Sequence, residues 1–345
     1  MTRSAPLTEH FGQAPVDPGL PAVSPSSVRR RLQLALAGLW LLDGMLKLQP
    51  YMFTKNFAPM TLGEAGDGAP FWLVAPLNWA KRIVSDHPVG TMVLFALAEI
   101  LIGLAIAYRP TVKYGLIACL CWVPFLWFFA EGLGGLTTSA AGPLGGAPGA
   151  SILYGLLAVL LWPTRRSGPG VSSEADRFVG TRAAKIVWFV LWGLLAGLSL
   201  LPANREPNAV SDIISGNTDG TPKGYLWLLD HAASWATGRG AEISIALAVL
   251  LALVAVSVLL PWRRAVRGGV ILALVLAALI WVFAEGFGMP FMGMATDPNT
   301  GPLMVLLAAA YWPVRGHLAA DKTADKTAAG TASAVDETQA KGAAA

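Results

Sequence analysis

The chain has 345 residues, of which 54% are hydrophobic and only 13% charged, and its mean hydropathy of +0.55 lies outside the range of water-soluble domains. The net charge of +4 would suit a nucleic-acid binder, but the basic residues fall in short clusters between apolar runs, which argues for membrane topology and against nucleic acid. Two cysteines exclude a disulfide framework, and His10, His87, His231 and His317 all lie outside the apolar runs, so paired intramembrane ligands for a b-type haem are missing.

Residues 1–28 are polar and rich in Pro and Ser, without the short apolar core and small-residue cleavage site of a signal peptide. They read as a disordered tail, and the first helix is expected to stay in the mature protein. Eight apolar segments follow, over 31–49, 90–108, 112–130, 149–163, 185–202, 242–261, 268–284 and 301–313. Most approach the roughly 20 residues that cross a hydrocarbon core, while the fourth and eighth are short. The expected fold is an all-α integral membrane protein of eight transmembrane helices. Assigning loops alternately collects Arg29, Arg30, Arg31, Arg109, Lys113, Arg165, Arg166, Arg182, Lys185, Arg263, Arg264, Arg267 and Arg315 on one side, which the positive-inside rule makes cytoplasmic, with both termini there. Residues 317–345, biased to Ala, Thr and Lys, offer nothing to bury and read as a second disordered tail.

The halves resemble each other. "WFFAEGLGG" from Trp127 returns as "WVFAEGFGM" from Trp281, "LLWP" at Leu160 to Pro163 as "AYWP" at Ala310 to Pro313, and "LWLLDGMLKLQP" from Leu39 as "LWGLLAGLSLLP" from Leu191. This predicts two parallel four-helix units, 29–166 and 182–316, joined by a cytoplasmic linker at 167–181. Each unit has a long outer loop with a tryptophan pair, Trp72 and Trp79 or Trp227 and Trp235, suited to a segment lying on the outer leaflet.

The internal comparison separates what folding needs from what one unit alone carries. Asp43 corresponds to Leu195, Lys47 to Ser199, Gln49 to Leu201 and Glu99 to Leu250, so the deeply placed charge belongs to the first unit. At about 1.5 Å of rise per residue, Asp43 lies roughly 18 Å from Arg31 and Glu99 roughly 15 Å from Arg109, so the two can meet at one level. Lys47 is one turn farther out and Glu131 farther still, and the four can line a polar cleft open to the outer surface. The competing reading of Asp43 and Lys47 is a self-neutralising pair one turn apart, with the lysine snorkelling to the interface. A central carboxylate costs about 3 kcal/mol or more on insertion scales, which makes Glu99 a candidate for pocket lining or proton handling. Glu131 and Glu285 recur in "FAEG" in both units, so a structural role in turns is expected of them as well.

Cys119 and Cys121 point about 200° apart on a helix and read as inert thiols. In "MPFMGMATD", Met289, Met292 and Met294 form a thioether cluster that can hold Cu(I) or simply fill apolar gaps. No phosphate loop, HExxH or nucleophile elbow is present.

"GMLKLQPYMF" closing the first helix and "AEILIGLAIAYRP" in the second resemble the DoxX-like membrane proteins, including the DoxD-type subunit of thiosulfate:quinone oxidoreductase. The resembling elements are Gly44, Lys47 and Leu48, and Glu99 before Gly103 and Leu104. The resemblance implies a bacterial cytoplasmic membrane and, for some members, electron transfer to quinone. The expected function is a redox-accessory protein that encodes no electron carrier. It would bind a quinone or similar small ligand through Asp43, Lys47, Glu99 and Glu131, and would work with a respiratory partner protein. A proton-coupled transporter and a copper-handling or assembly protein are the alternatives.

Overall fold

The computed structural model describes residues 25–64, 66, 68–164 and 172–313. The tail expected over 1–28 lies outside the described residues as far as 24, and 25–28 are already helical; the tail expected over 317–345 also lies outside them. The described chain is helical throughout, without strands. In chain order the helices are α1 (Pro25–Leu46), α2 (Phe57–Glu64), α3 (Phe71–Asp86), α4 (Pro88–Ala107), α5 (Val112–Phe129), α6 (Ala150–Leu160), α7 (Asp176–Val179), α8 (Thr181–Ser199), α9 (Ala209–Ser215), α10 (Lys223–Ala236), α11 (Gly240–Ser257), α12 (Arg263–Leu279) and α13 (Thr300–Ala310).

Five stretches are long and apolar enough to cross a membrane: Pro88–Ala107, Arg109–Phe129, Thr181–Ser199, Gly240–Ser257 and Arg263–Ala284. Their outward faces carry large apolar side chains such as Leu94, Leu97, Leu101, Val249, Leu253, Ile271 and Val275, exposed as a bilayer-facing surface requires. This is a helical membrane protein in contact with lipid. The α1 helix has the length, 22 residues, but carries Arg29, Arg30, Arg31 and Asp43. The fourth and eighth apolar segments form helices of only 11 residues each. At 1.5 Å per residue they reach about 16 Å, roughly half a hydrocarbon core. The glycine- and proline-rich chain before each of them folds instead into short 3-10 turns, Gly132–Gly135 and Pro143–Gly145, then Gly286–Gly288 and Pro290–Met292.

Packing follows the same scheme in both halves: α1 lies against α4 and α5 against α6, as α8 lies against α11 and α12 against α13. Buried positions run in parallel too. On α1 they include Leu32, Leu36, Trp40, Asp43 and Lys47 follows at its end; on α8 they are Ala184, Trp188, Trp192, Leu195 and Ser199. On α4 they are Met92, Ala96, Glu99, Ile102 and Gly103; on α11, Ser244, Ala248, Leu251, Val254 and Ala255. The burial pattern thus corrects the sequence alignment by one position, because Leu251 and not Leu250 sits where Glu99 sits. A one-residue shift turns a helical side chain by about 100°, so burial fixes the register where apolar sequence alone does not.

The stretch read as a linker over 167–181 is, from Ser172 on, packed structure; 165–171 lie outside the described residues. Ser173, Glu174, Asp176 and Arg177 are buried. Glu174 pairs with Arg29 at 3.3 Å and with Arg177 at 2.8 Å, and the Ala175 amide donates to Ala310 O at 3.0 Å. The connection therefore clamps the arginine-rich end of α1 to the end of α13.

Candidate functional site

The site begins with a close helix approach. A Cβ on Gly44 would meet Ile100 Cγ1 at 2.6 Å and Ala96 O at 2.9 Å, and one on Gly103 would meet Ala37 O at 3.0 Å. Two glycines facing opposite backbones let α1 and α4 pack tightly, as small residues do at membrane helix contacts. The corresponding positions of α8 and α11 carry Ala196 and Ala255.

Around this contact the first half gathers its charge. Lys47 Nζ lies 2.8 Å from Glu99 Oε2 and donates to Thr296 O at 3.0 Å. Asp43, Lys47 and Glu99 are 3%, 8% and 0% exposed, so the group is removed from bulk solvent. Asp43 faces Lys47, Glu99, Asp297 and the Tyr154 hydroxyl, which lies within hydrogen-bonding reach of its carboxyl group. Glu99 faces the Trp122 indole as well as Lys47, so an aromatic N–H borders the buried carboxyl. Tyr154 packs against Trp40, with ring centroids 4.2 Å apart and the rings tilted by 35°.

A cavity of about 80 Å³ adjoins the pair, lined by Lys47, Glu131, Ser151, Thr296 and Asp297 on its polar side and by Phe57, Met92, Phe95, Leu126 and Ala130 on its apolar side. It has room for a few waters or a small polar molecule. Of the residues singled out in the sequence, Asp43, Lys47, Glu99 and Glu131 are thereby brought together. Met289, Met292 and Met294 occupy the same α12–α13 loop as Thr296 and Asp297, with Met289 more exposed than the other two. Cys119 is buried and Cys121 exposed, as their opposed directions predict.

Glu131 and Glu285 do more than stabilise their own turns. Each amide bonds back five residues, Glu131 to Leu126 O and Glu285 to Ile280 O, both at 3.0 Å. This wide turn aims the carboxylate at the start of the next helix. Glu131 Oε1 accepts from Ser151 N at 2.9 Å and Ser151 Oγ at 2.6 Å. Glu285 Oε1 accepts from Thr300 N at 3.3 Å and from the Thr300 hydroxyl, while its Oε2 accepts from Gly301 N at 2.9 Å. Both acids cap short helices from a distance. The following glycines, Gly132 and Gly286, take φ of +54° and +53°, the left-handed reversal expected there. Burial pushes both carboxyls up to about 7. Glu131 differs in also keeping an unpartnered Oε2 beside Lys47 and Asp297.

Sequence reasoning missed Asp297, Thr296, Ser151, Tyr154 and Trp122. "TDPNT" carries a turn signal, and Asp297 Oδ1 does accept from Asn299 N at 2.8 Å. That signal says nothing of the charge lying over Lys47. Tyr154 was findable, since the second half has Met304 at the same place on α13.

The loops also cross over. Thr296 and Asp297, from the second half, cover the first half's cavity, held there by Gln49 Nε2 donating to Ala295 O at 3.0 Å. Leu144, from the first half, covers the second half, where Asn204 Nδ2 donates to Ala141 O at 2.8 Å. No protein-family model, curated protein or solved structure matches this chain.

Proposed function

We propose that the chain is a DoxX-like membrane protein of two parallel four-helix units and eight spans, the short α6 and α13 included, with both termini on the arginine-rich side of a bacterial cytoplasmic membrane. Its first unit holds a small hydrogen-bonding ligand against Lys47, Glu99 and Asp43, exchanging protons with it, and the protein serves as an accessory to a redox partner. One observation supports this above others: four carboxyl groups, Asp43, Glu99, Glu131 and Asp297, share one buried ammonium, Lys47, beside a cavity. Like charges gathered in low dielectric need protons, or a guest that donates hydrogen bonds, to balance them. Lys47 then stabilises negative charge developing on the ligand, and Glu131 and Asp297 lie toward the outer end as the next proton stations.

A quinone head group is the guest that the resemblance implies. The cavity, at about 80 Å³, is well under the volume of roughly 300 Å³ at which pockets for drug-sized ligands begin, so a ring enters only when the Thr296–Asp297 edge moves aside. The test is quinone binding to purified protein, followed by quenching of tryptophan fluorescence, in the wild type and in Glu99→Gln with Lys47→Met. Saturable binding lost in the double variant supports the reading. No binding, or binding that the variant keeps, overturns it. The run of carboxyl groups from mid-depth to the outer end favours proton-coupled transport as the second reading; uptake into vesicles that follows a proton gradient and stops in Glu99→Gln would establish it instead.

A further inference from the structure

The second half has a cavity at the same address as the polar one. Val210, Leu247, Ile280 and Ala284 line it where Phe57, Phe95, Leu126 and Ala130 line the first. The chemistry is opposite. Its lining is apolar throughout, its volume is about 310 Å³, and it runs between α9, α10, α11 and α12. Leu279 and Trp235, on its wall, are 48% and 61% exposed on the apolar outer surface, so the groove opens toward the bilayer.

Its mouth is charged. The Arg239 guanidinium lies 5.1 Å from the centroid of the Trp235 ring and donates to Trp235 O at 2.5 Å. Among the described residues Arg239 forms no ion pair, and it sits beside the first turn of α11. A tryptophan and an arginine at one level mark the headgroup boundary of a membrane, where cations attract anionic lipids.

We propose that this groove binds one anionic phospholipid, an acyl chain lying along Ile243, Leu247, Leu276 and Ile280 and the phosphate paired with Arg239. Trp235 forms the hinge between the two parts. The site is independent of the ligand proposed for the first half, because its lining shares no residue with the polar cavity.

The experiment is native mass spectrometry of the full chain released from mixed vesicles of phosphatidylglycerol and phosphatidylcholine. One retained phosphatidylglycerol is expected for the wild type. Leu247→Trp, which fills the groove, should lose it, and Ala236→Leu, a milder filling of the same wall, should weaken it about tenfold with an unchanged melting temperature. Arg239→Gln should keep a bound lipid but lose the preference for phosphatidylglycerol. Equal retention of both headgroups by the wild type, or retention that Ala236→Leu and Leu247→Trp leave untouched, would overturn the proposal.

Discussion

The two halves of this protein place different chemistry on one frame. Where the first buries Asp43, Lys47, Glu99 and Tyr154, the second buries Leu195, Ser199, Leu251 and Met304 at matching points of matching helices. Among the described residues the second half has no ion pair at that level, and Ser199 satisfies its hydroxyl locally by donating to Leu195 O at 2.9 Å. The charges of the first half are therefore not what holds the helices together. Gly44 and Gly103, replaced by Ala196 and Ala255 in the second half, leave no room for a side chain where α1 meets α4 beside the charged groups.

The comparison breaks most sharply if a charge is moved. Leu251→Glu puts a carboxylate in the second half with no lysine to meet it, and should cost about 3 kcal/mol or more in thermal unfolding of the solubilised protein. Lys47→Met leaves Glu99 alone and should cost about 3 to 5 kcal/mol. Converting Asp43→Leu, Lys47→Ser and Glu99→Leu together, which copies the second half, should restore stability to near the wild type while abolishing ligand binding. If the triple variant is as unstable as Lys47→Met, the charges are structural after all. A smaller effect is expected from Gly44→Val, whose added atoms collide with Ile100 and the Ala96 carbonyl, at about 1 to 3 kcal/mol, against under about 1 kcal/mol for Ala196→Gly at the matching point.

The capping acids sharpen the comparison through pH. Glu131 and Glu285 are both raised by burial from the ordinary 4.5 to about 7. A carboxyl with a higher pKa folded than unfolded favours the fold in its protonated form. Its contribution is complete below about 4.5 and is lost as the pH rises through about 7. The melting temperature should fall between those values, and Glu285→Gln should flatten part of that slope without touching ligand binding. Glu131→Gln should flatten it and weaken ligand binding too, since only Glu131 borders the polar cavity. Least of all, Met289, Met292 and Met294 changed together to Leu should shift stability by under about 1.5 kcal/mol. Copper held by the wild type and lost from that variant would move the chemistry to the loop.

Much of this was legible in the chain, because membrane helices announce themselves by length and apolarity and because two similar halves act as each other's control. The singularity of Asp43, Lys47 and Glu99 needed only that internal comparison. The true match of Glu99 needed burial, since neighbouring leucines in an apolar run are equivalent on paper and differ by about 100° on the helix. The fourth and eighth apolar segments overrun α6 and α13 at their C-terminal ends, Leu161 to Pro163 and Tyr311 to Pro313, where the approaching proline stops the helix although the residues before it are apolar.

By itself the sequence determined the helical membrane class, the approximate limits of the eight apolar helices though not of the shorter α2, α3, α7, α9 and α10, and the half of the molecule that carries charge, all of which are properties of local composition and periodicity. Only the tertiary structure decided that Lys47 meets Glu99, that the supposed linker clamps the two ends together, and that Asp297 lies over the first half's cavity. The first depends on how α1 and α4 pack, and the last on a loop that crosses between halves, joining residues some 250 positions apart such as Lys47 and Thr296. No pattern along the chain encodes such a crossing, because it is settled by which backbone carbonyls and side chains Gln49, Asn204 and Lys47 find once the helices have packed.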